Sequence, residues 1–204
     1  MKNIIIFFYS EKILMNKDCF SNSLLYCIKM LRDKNVIAYP TESMFGLGCD
    51  PNSKEAVLKL LRLKKRNIEK GLILVGSNFH QIKKYINENL LSKEQKKKIF
   101  SFWPGPFTFL VPANSKVPFW LTGKFDTIAV RISAHTSIIK LCDAFGEALV
   151  STSANITNMT PSITYKEVFK YFGEDFPLLH GEIGNERNPS KIINITNGKL
   201  IRHV

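Results

Sequence analysis

The chain has no CxxC pair, no HExxH, no GxSxG and no apolar run long enough to span a bilayer. Each absence removes a class of function. The four cysteines, Cys19, Cys27, Cys49 and Cys142, are scattered, so neither a redox motif nor a zinc site is signalled. Reduced thiols in a cytoplasmic protein are the expectation. The four histidines, His80, His135, His180 and His203, do not fall at metal-ligand spacing. A Walker A loop would need glycine where Pro118 stands and Ser or Thr where Phe125 stands, so any ATP is held without a P-loop. The apolar stretch Ile4–Tyr9 falls well short of the ~20 residues of a membrane span. No small-residue cleavage site follows it before Glu11-Lys12. No membrane partner is expected. Residues 1–20 are expected to be a loosely attached N-terminal extension, with Met15 an alternative start that would make Met1–Leu14 a mis-assigned leader.

Acidic residues are also scarce: 17 Asp and Glu face 29 Lys and Arg, for a net charge of +12. An excess of this size favours polyanionic partners such as nucleotides, RNA or anionic membrane. A general lysine-rich bias gives the same number, and both readings stand. The charge is partly local, in Lys93, Lys96, Lys97 and Lys98, and in Lys59, Lys64, Lys65 and Arg66.

What is present suits an ordinary globular domain. Apolar residues make up 45% and charged residues 23%. At 204 residues the chain can bury a full core without disulfide or metal staples. Residues 21–204 read as one domain. Apolar spacing predicts helices over about 21–33, from the Asn52-Ser53 cap to Lys64-Lys65-Arg66, and over 78–85, 92–100, His135–Phe145 and Tyr165–Phe172. Ser21-Asn22-Ser23 and Asn52-Ser53 are candidate caps. Short apolar runs predict strands at Val36–Tyr39, Leu72–Val75, Phe107–Val111, Thr127–Arg131 and Ala148–Val150. Ile192–Ile195 and Lys199–Arg202 flank Asn197-Gly198 and read as a hairpin. Helices and strands mixed without regular alternation imply an α/β or α+β sheet with helices on its faces.

Polar clusters sit at the ends of these elements. Pro40-Thr41-Glu42-Ser43, followed by Gly46-Leu47-Gly48-Cys49-Asp50, leaves a strand as a polar, glycine-bearing loop. It is either a ligand-holding loop or a polar turn. Others are Lys64-Lys65-Arg66, Thr108 after Pro104-Gly105-Pro106, Arg131, Ser151-Thr152-Ser153-Ala154-Asn155, Ser190 and Arg202. Hydroxyls, amides and fixed cations suit phosphates and an amino acid. Each cluster also has a plain structural reading. Lys64-Lys65-Arg66 complements a helix dipole, Ser151–Asn155 caps a helix, and Arg131 is a surface charge. Nothing pairs a nucleophile with an adjacent base, which points to positioning and charge stabilisation.

Taken together, Tyr39-Pro40-Thr41-Glu42, Lys64-x-Arg66, Trp103-Pro104-Gly105-Pro106-x-Thr108, Val130-Arg131 and Ser151-Thr152-Ser153-Ala154-Asn155 resemble the YrdC-type family in order and spacing. The match covers about Ser21 to Arg202. The resemblance implies an open, twisted, mixed α/β sheet with helices on its faces and a large basic concave surface. It implies an enzyme that condenses L-threonine, bicarbonate and ATP into threonylcarbamoyl-adenylate, releasing pyrophosphate, for the t6A modification of tRNA beside the anticodon. By the same resemblance, Lys64 and Arg66 hold ATP phosphates and, with Ser153, are the catalytic set. Thr41, Thr108, Arg131 and Ser151 contact substrate. Ser153, Asn155, Ser190 and Arg202 contact the nucleotide. Mg²⁺ is expected mainly on phosphate oxygens and water. Implied partners are tRNA, on the basic surface, and downstream threonylcarbamoyl-transfer proteins. A non-catalytic module binding double-stranded RNA or tRNA is the alternative. A hydrogenase-maturation type carbamoyl-transfer enzyme is a third reading, disfavoured because its accompanying acylphosphatase and zinc-finger segments are missing. Two departures stand out: Asn67 occupies a position that is usually Pro, and the additional C-terminal domain of longer relatives is expected to be missing.

Overall fold

A computed structural model describes residues 19–202, with the side chain of Arg202 outside the description. Residues 1–18, which hold most of the expected extension, also lie outside it. Helix α1 covers residues 19–32. The strands are β1 (Ile37–Pro40), β2 (Phe45–Cys49), β3 (Ile73–Gly76), β4 (Phe107–Pro112), β5 (Thr127–Ile132), β6 (Leu149–Ser153), β7 (Lys191–Asn194) and β8 (Leu200–Arg202). The remaining helices are α2 (Lys54–Lys64), α3 (Phe79–Lys83), α4 (Lys93–Phe102), α5 (Phe119–Thr122), α6 (Thr136–Phe145) and α7 (Tyr165–Phe172).

The eight strands form one sheet in the order β1-β2-β6-β3-β5-β4-β7-β8. Pairs β3–β5 and β4–β7 are parallel and the rest antiparallel, so the sheet is mixed, as expected. Side chains alternate across a strand, so residues paired in register share a face. One face carries Ala38, Leu47, Leu74, Val150, Val130 and Phe109. It packs against α2 through Ala56, Val57, Leu60 and Leu61, and with Ile82, Ile99, Leu121 and Val168 from other helices. The opposite face carries Ile37, Tyr39, Val75 and Leu149, covered by α1 (Cys27, Ile28, Leu31) and α6 (Ile138, Leu141, Cys142). These two helices cover only one end of that face. Ser151, Ser153, Ile73, Ala129, Arg131 and Leu110 lie on the same face by register, and all six border an open cavity.

Several expectations needed correction. The stretch Phe45–Cys49, read as loop, is the fully buried strand β2. Its alternation puts Phe45, Leu47 and Cys49 into the first core and leaves only Gly46 and Gly48 on the cavity face. An added Cβ at Gly48 would stand 2.7 Å from Tyr39 Cε1 and 2.8 Å from the Val150 carbonyl oxygen, so no side chain fits there. Ser21-Asn22-Ser23 is no cap, because α1 already runs from residue 19. Strand β6 continues to Ser153, three residues past its expected end, so Ser151 is a strand residue and caps no helix. Helix α5 had no sequence forecast. The hairpin held: β7 and β8 pair antiparallel around Asn197-Gly198.

Ends of α2 and α6 follow their sequences. Ser53 accepts a hydrogen bond from Ala56 N at the start of α2. Lys65 takes φ 49 at its end, with its N–H on the Arg62 carbonyl, and turns the chain toward the cavity. Gly146 ends α6 at φ 87, a conformation cheap only for glycine.

Candidate active site

The cavity, about 570 Å³, lies where α1 and α6 leave the sheet uncovered. Its walls are residues 41–44 and the start of β2, the chain after α2 from Arg66 to Ile73, the ends of β5 and β6, residues 121–127 and residues 188–194. That volume suits a small organic ligand. Six of the expected site residues border it: Thr41, Arg66, Arg131, Ser151, Ser153 and Ser190. Three do not. Lys64 and Asn155 lie behind Ser153, and Thr108 is fully buried with Oγ1 2.9 Å from Ser190 Oγ. The side chain of Arg202 is outside the described residues; its neighbour Ile201 lines the rim.

The hydroxyls are already partly committed, which fixes what each can offer. Tyr39, wholly buried, donates its O–H to Ser151 Oγ at 2.8 Å. The glycine-only face of β2 lets the Tyr39 ring lie across it to make that bond. Ser151 keeps its own O–H to donate to a ligand. Thr41 Oγ1 donates to the Met44 carbonyl at 2.7 Å, and Ser153 Oγ donates to Asn155 Oδ1 at 2.7 Å. Toward a ligand these two therefore act as acceptors, suited to an amine or hydroxyl.

Charge is arranged in two places. Arg131 and Glu42 form a buried ion pair, Nη1 to Oε2 at 2.7 Å, with side chains 7% and 13% exposed. Ser133 Oγ donates to the other carboxylate oxygen at 2.6 Å and accepts from His135 N at 3.0 Å. Burial opposes ionisation of Glu42, but the Arg131 charge and the Ser133 hydrogen bond outweigh it and hold the carboxyl below its ordinary value. Arg66 also borders the cavity, with Nη2 donating to the Gly71 carbonyl at 3.0 Å. Among the described residues, Arg66 Nε and Arg131 Nε are buried donors without a partner. Those two Nε atoms are themselves shut off from solvent, and the guanidiniums meet the cavity as fixed cations suited to an anion.

Lys64 is 3% exposed. Burial, with the Arg66 charge adding to it, pulls its pKa down to about 8. Its ammonium donates to Ser153 O at 2.5 Å, Asn155 O at 2.8 Å and Asn155 Oδ1 at 3.1 Å.

Sequence reasoning singled out Glu42 within its cluster without giving it a role, and passed over Ser133 and Asp126. Glu42 pairs with residues 89 and 91 positions away, which no local pattern announces. Among the described residues no cluster of three or more His, Cys, Asp or Glu is placed to hold a metal ion. None of their helices is long and apolar enough to cross a membrane.

Comparison with known proteins identifies the family. The sequence matches the Sua5_yciO_yrdC family, described as "Telomere recombination", over residues 29–203. It is 70% identical over 190 residues to the threonylcarbamoyl-AMP synthase of Buchnera aphidicola subsp. Schizaphis graminum, covering 93% of this chain and 100% of that one. It is 48% identical over 188 residues to the protein of the same name from Klebsiella pneumoniae, covering 92% and 99%. Among solved structures, P. abyssi Sua5 complexed with L-threonine superposes with a TM-score of 0.78 at 28% identity, over 85% of this chain and 51% of that one. This chain thus spans about half of that archaeal protein. E. coli YciO shares the fold, with a TM-score of 0.72 at 22% identity over 84% and 82% of the two chains. With a family match across most of its length and relatives this similar, the chain belongs to the Sua5/YciO/YrdC family.

Proposed function

We propose that the chain condenses L-threonine, bicarbonate and ATP into threonylcarbamoyl-adenylate, releasing pyrophosphate, and so supplies the t6A modification of tRNA in the cytoplasm. The observation that carries this reading is one cavity bordered both by two fixed cations, Arg66 and Arg131, and by acceptor hydroxyls suited to an amino acid. The names of the relatives that match nearly end to end support it.

In this reading the threonine amine forms a C–N bond to the bicarbonate carbon, a C–O bond breaks and water leaves, giving an N-carboxylate. A carboxylate oxygen then attacks the α-phosphorus of ATP, and pyrophosphate leaves in line. Thr41 accepts from the amine or hydroxyl of threonine. Arg131, held by Glu42, faces the amino-acid carboxylate. Arg66 meets the triphosphate as a fixed fork. Ser151 donates to the developing charge near the α-phosphorus, and Ser153 and Ser190 close the wall. Thr108 and Asn155 act from behind, through Ser190 and Ser153. Reaction then rests on holding three substrates together and offsetting charge.

Mg²⁺ fits this site as a companion of ATP. The cavity-lining carboxylates are Glu42, already paired, and Asp126, so the metal is held mainly by phosphate oxygens and water. When bound, it offsets phosphate charge. The net charge of +12 supports contact with tRNA, before the product passes to a transfer protein. The test of the function is pyrophosphate release. It should require threonine and bicarbonate together; release indifferent to threonine sinks the assignment.

A further inference from the structure

Lys64 is two residues from Arg66 in sequence, yet the two cations face different targets. An ammonium has three hydrogens, and those of Lys64 are all taken: by Ser153 O, Asn155 O and Asn155 Oδ1 at 2.5, 2.8 and 3.1 Å. The backbone of the same residue takes a further grip on the same loop. Its carbonyl accepts from Thr157 N at 2.9 Å and from Thr157 Oγ1 at 2.6 Å. Asn155 is braced in turn, with Ser153 Oγ on its Oδ1 at 2.7 Å and its Nδ2 on the Met159 carbonyl at 2.5 Å. Lys64 is buried and lies outside the cavity lining, whereas Arg66 and Ser153 are in it. To reach a phosphate, its ammonium would have to abandon three oxygen acceptors, two of them in buried bonds.

We propose that Lys64 is a positioning residue: it clamps the 153–157 loop to the end of α2, and Arg66 without it is the cation that meets the triphosphate. The proposal rests on the reading of the cavity as an ATP site. It divides a pair that the family resemblance treats as a unit. One residue sets where the reacting groups are held, and the other supplies charge to the polyphosphate.

Two properties separate the roles. Inorganic tripolyphosphate binding, measured by calorimetry without threonine, reports the phosphate contacts alone. Hydrogen exchange of the ligand-free protein reports the loop alone. Arg66→Met should weaken tripolyphosphate by about 10- to 100-fold, the loss of a charge-assisted hydrogen bond, and leave exchange at 153–157 unchanged. Lys64→Met should do the reverse. Exchange at 153–157 should speed by about tenfold or more, kcat for pyrophosphate release should fall by about 100-fold, and tripolyphosphate affinity should move less than about threefold. Lys64→Arg keeps the charge, but a planar fork does not match three converging acceptors, so kcat should stay low. If Lys64→Met fails to fold, Thr157→Val carries the test. It should speed exchange at 155–157 and lower kcat several-fold, with tripolyphosphate binding unchanged. The proposal is overturned if Lys64→Arg restores wild-type kcat and affinity, or if Lys64→Met weakens tripolyphosphate as much as Arg66→Met does without altering loop exchange. Failure of the threonine requirement would remove the proposed reaction and leave the exchange and tripolyphosphate results standing.

Discussion

Removing the Glu42 carboxylate is the perturbation whose size follows most directly from the geometry. Its oxygen lies 2.7 Å from Arg131 Nη1, and both side chains are nearly enclosed. Two unit charges about 4 Å apart at an effective dielectric of about 20 attract by about 4 kcal/mol. Truncating one partner of a buried pair costs about 3–5 kcal/mol, because the other charge is left without compensation. The two routes agree. Glu42→Ala should therefore lose about 3–5 kcal/mol in urea denaturation at neutral pH, or roughly 6–20 °C in Tm at this chain length. Glu42→Leu combined with Arg131→Met removes both charges and keeps the volume. That double variant should recover to within about 1–2 kcal/mol of wild type, the remainder being the Ser133 hydrogen bond. It should be inactive all the same, because Arg131 is gone. pH gives a second check. The folded pKa of Glu42 is lowered, so its contribution is complete above the unfolded value of about 4.3 and is lost as pH falls through the lower folded value. The penalty of Glu42→Ala should shrink across that acid window and nowhere above it. A loss below about 1 kcal/mol at neutral pH, the size of an exposed pair, would refute the reasoning. So would a double variant no more stable than the single one.

Other outcomes follow from neighbouring residues. Ser151→Ala leaves the buried Tyr39 hydroxyl without its acceptor and should cost about 1–3 kcal/mol by thermal denaturation; adding Tyr39→Phe should return most of it. Gly48→Ala drives a methyl against the Tyr39 ring and the Val150 carbonyl, and about 1–3 kcal/mol of overpacking strain should appear in urea titrations. Asn67 has φ −66, the proline value, so Asn67→Pro gives up a cap to Glu69 N worth about 1 kcal/mol and gains about 0.4–1 kcal/mol by restricting the unfolded chain. Its net effect on Tm should be close to zero, despite the loss of a hydrogen bond.

How far the sequence was legible depended on how local each feature was. Helix α2 was readable from Ser53 and its apolar spacing, and α6 from Gly146, because capping and periodicity act within a few residues. Strand β2 was missed for a physical reason. Gly46 and Gly48 lower strand propensity, and only the register of β2 between β1 and β6 shows why they belong there. Ser151 and Ser153 looked like loop residues because serine favours caps and turns, yet pairing with β2 and β3 keeps Ser151 extended. Motif order placed Thr41, Arg66, Arg131 and Ser151 in one family pattern, and all four border the cavity. Motif order did not show that Lys64 faces away from it. That depends on which oxygen the ammonium finds, a contact between residues 89 and 91 positions apart.

The bare face of β2 has a consequence for how this pocket can vary. Its wall is made partly by omission: Gly46 borders the cavity without a side chain that a substrate would recognise, and Gly48 lies beneath the Tyr39 ring. Substitution there is screened by room before any chemistry is tested. At Gly46 a methyl would crowd the Thr41 methyl at 3.1 Å, and at Gly48 it would meet Tyr39 at 2.7 Å. Substrate preference can drift through the polar walls, while the seat of the Tyr39 ring stays fixed by two side chains that are not there.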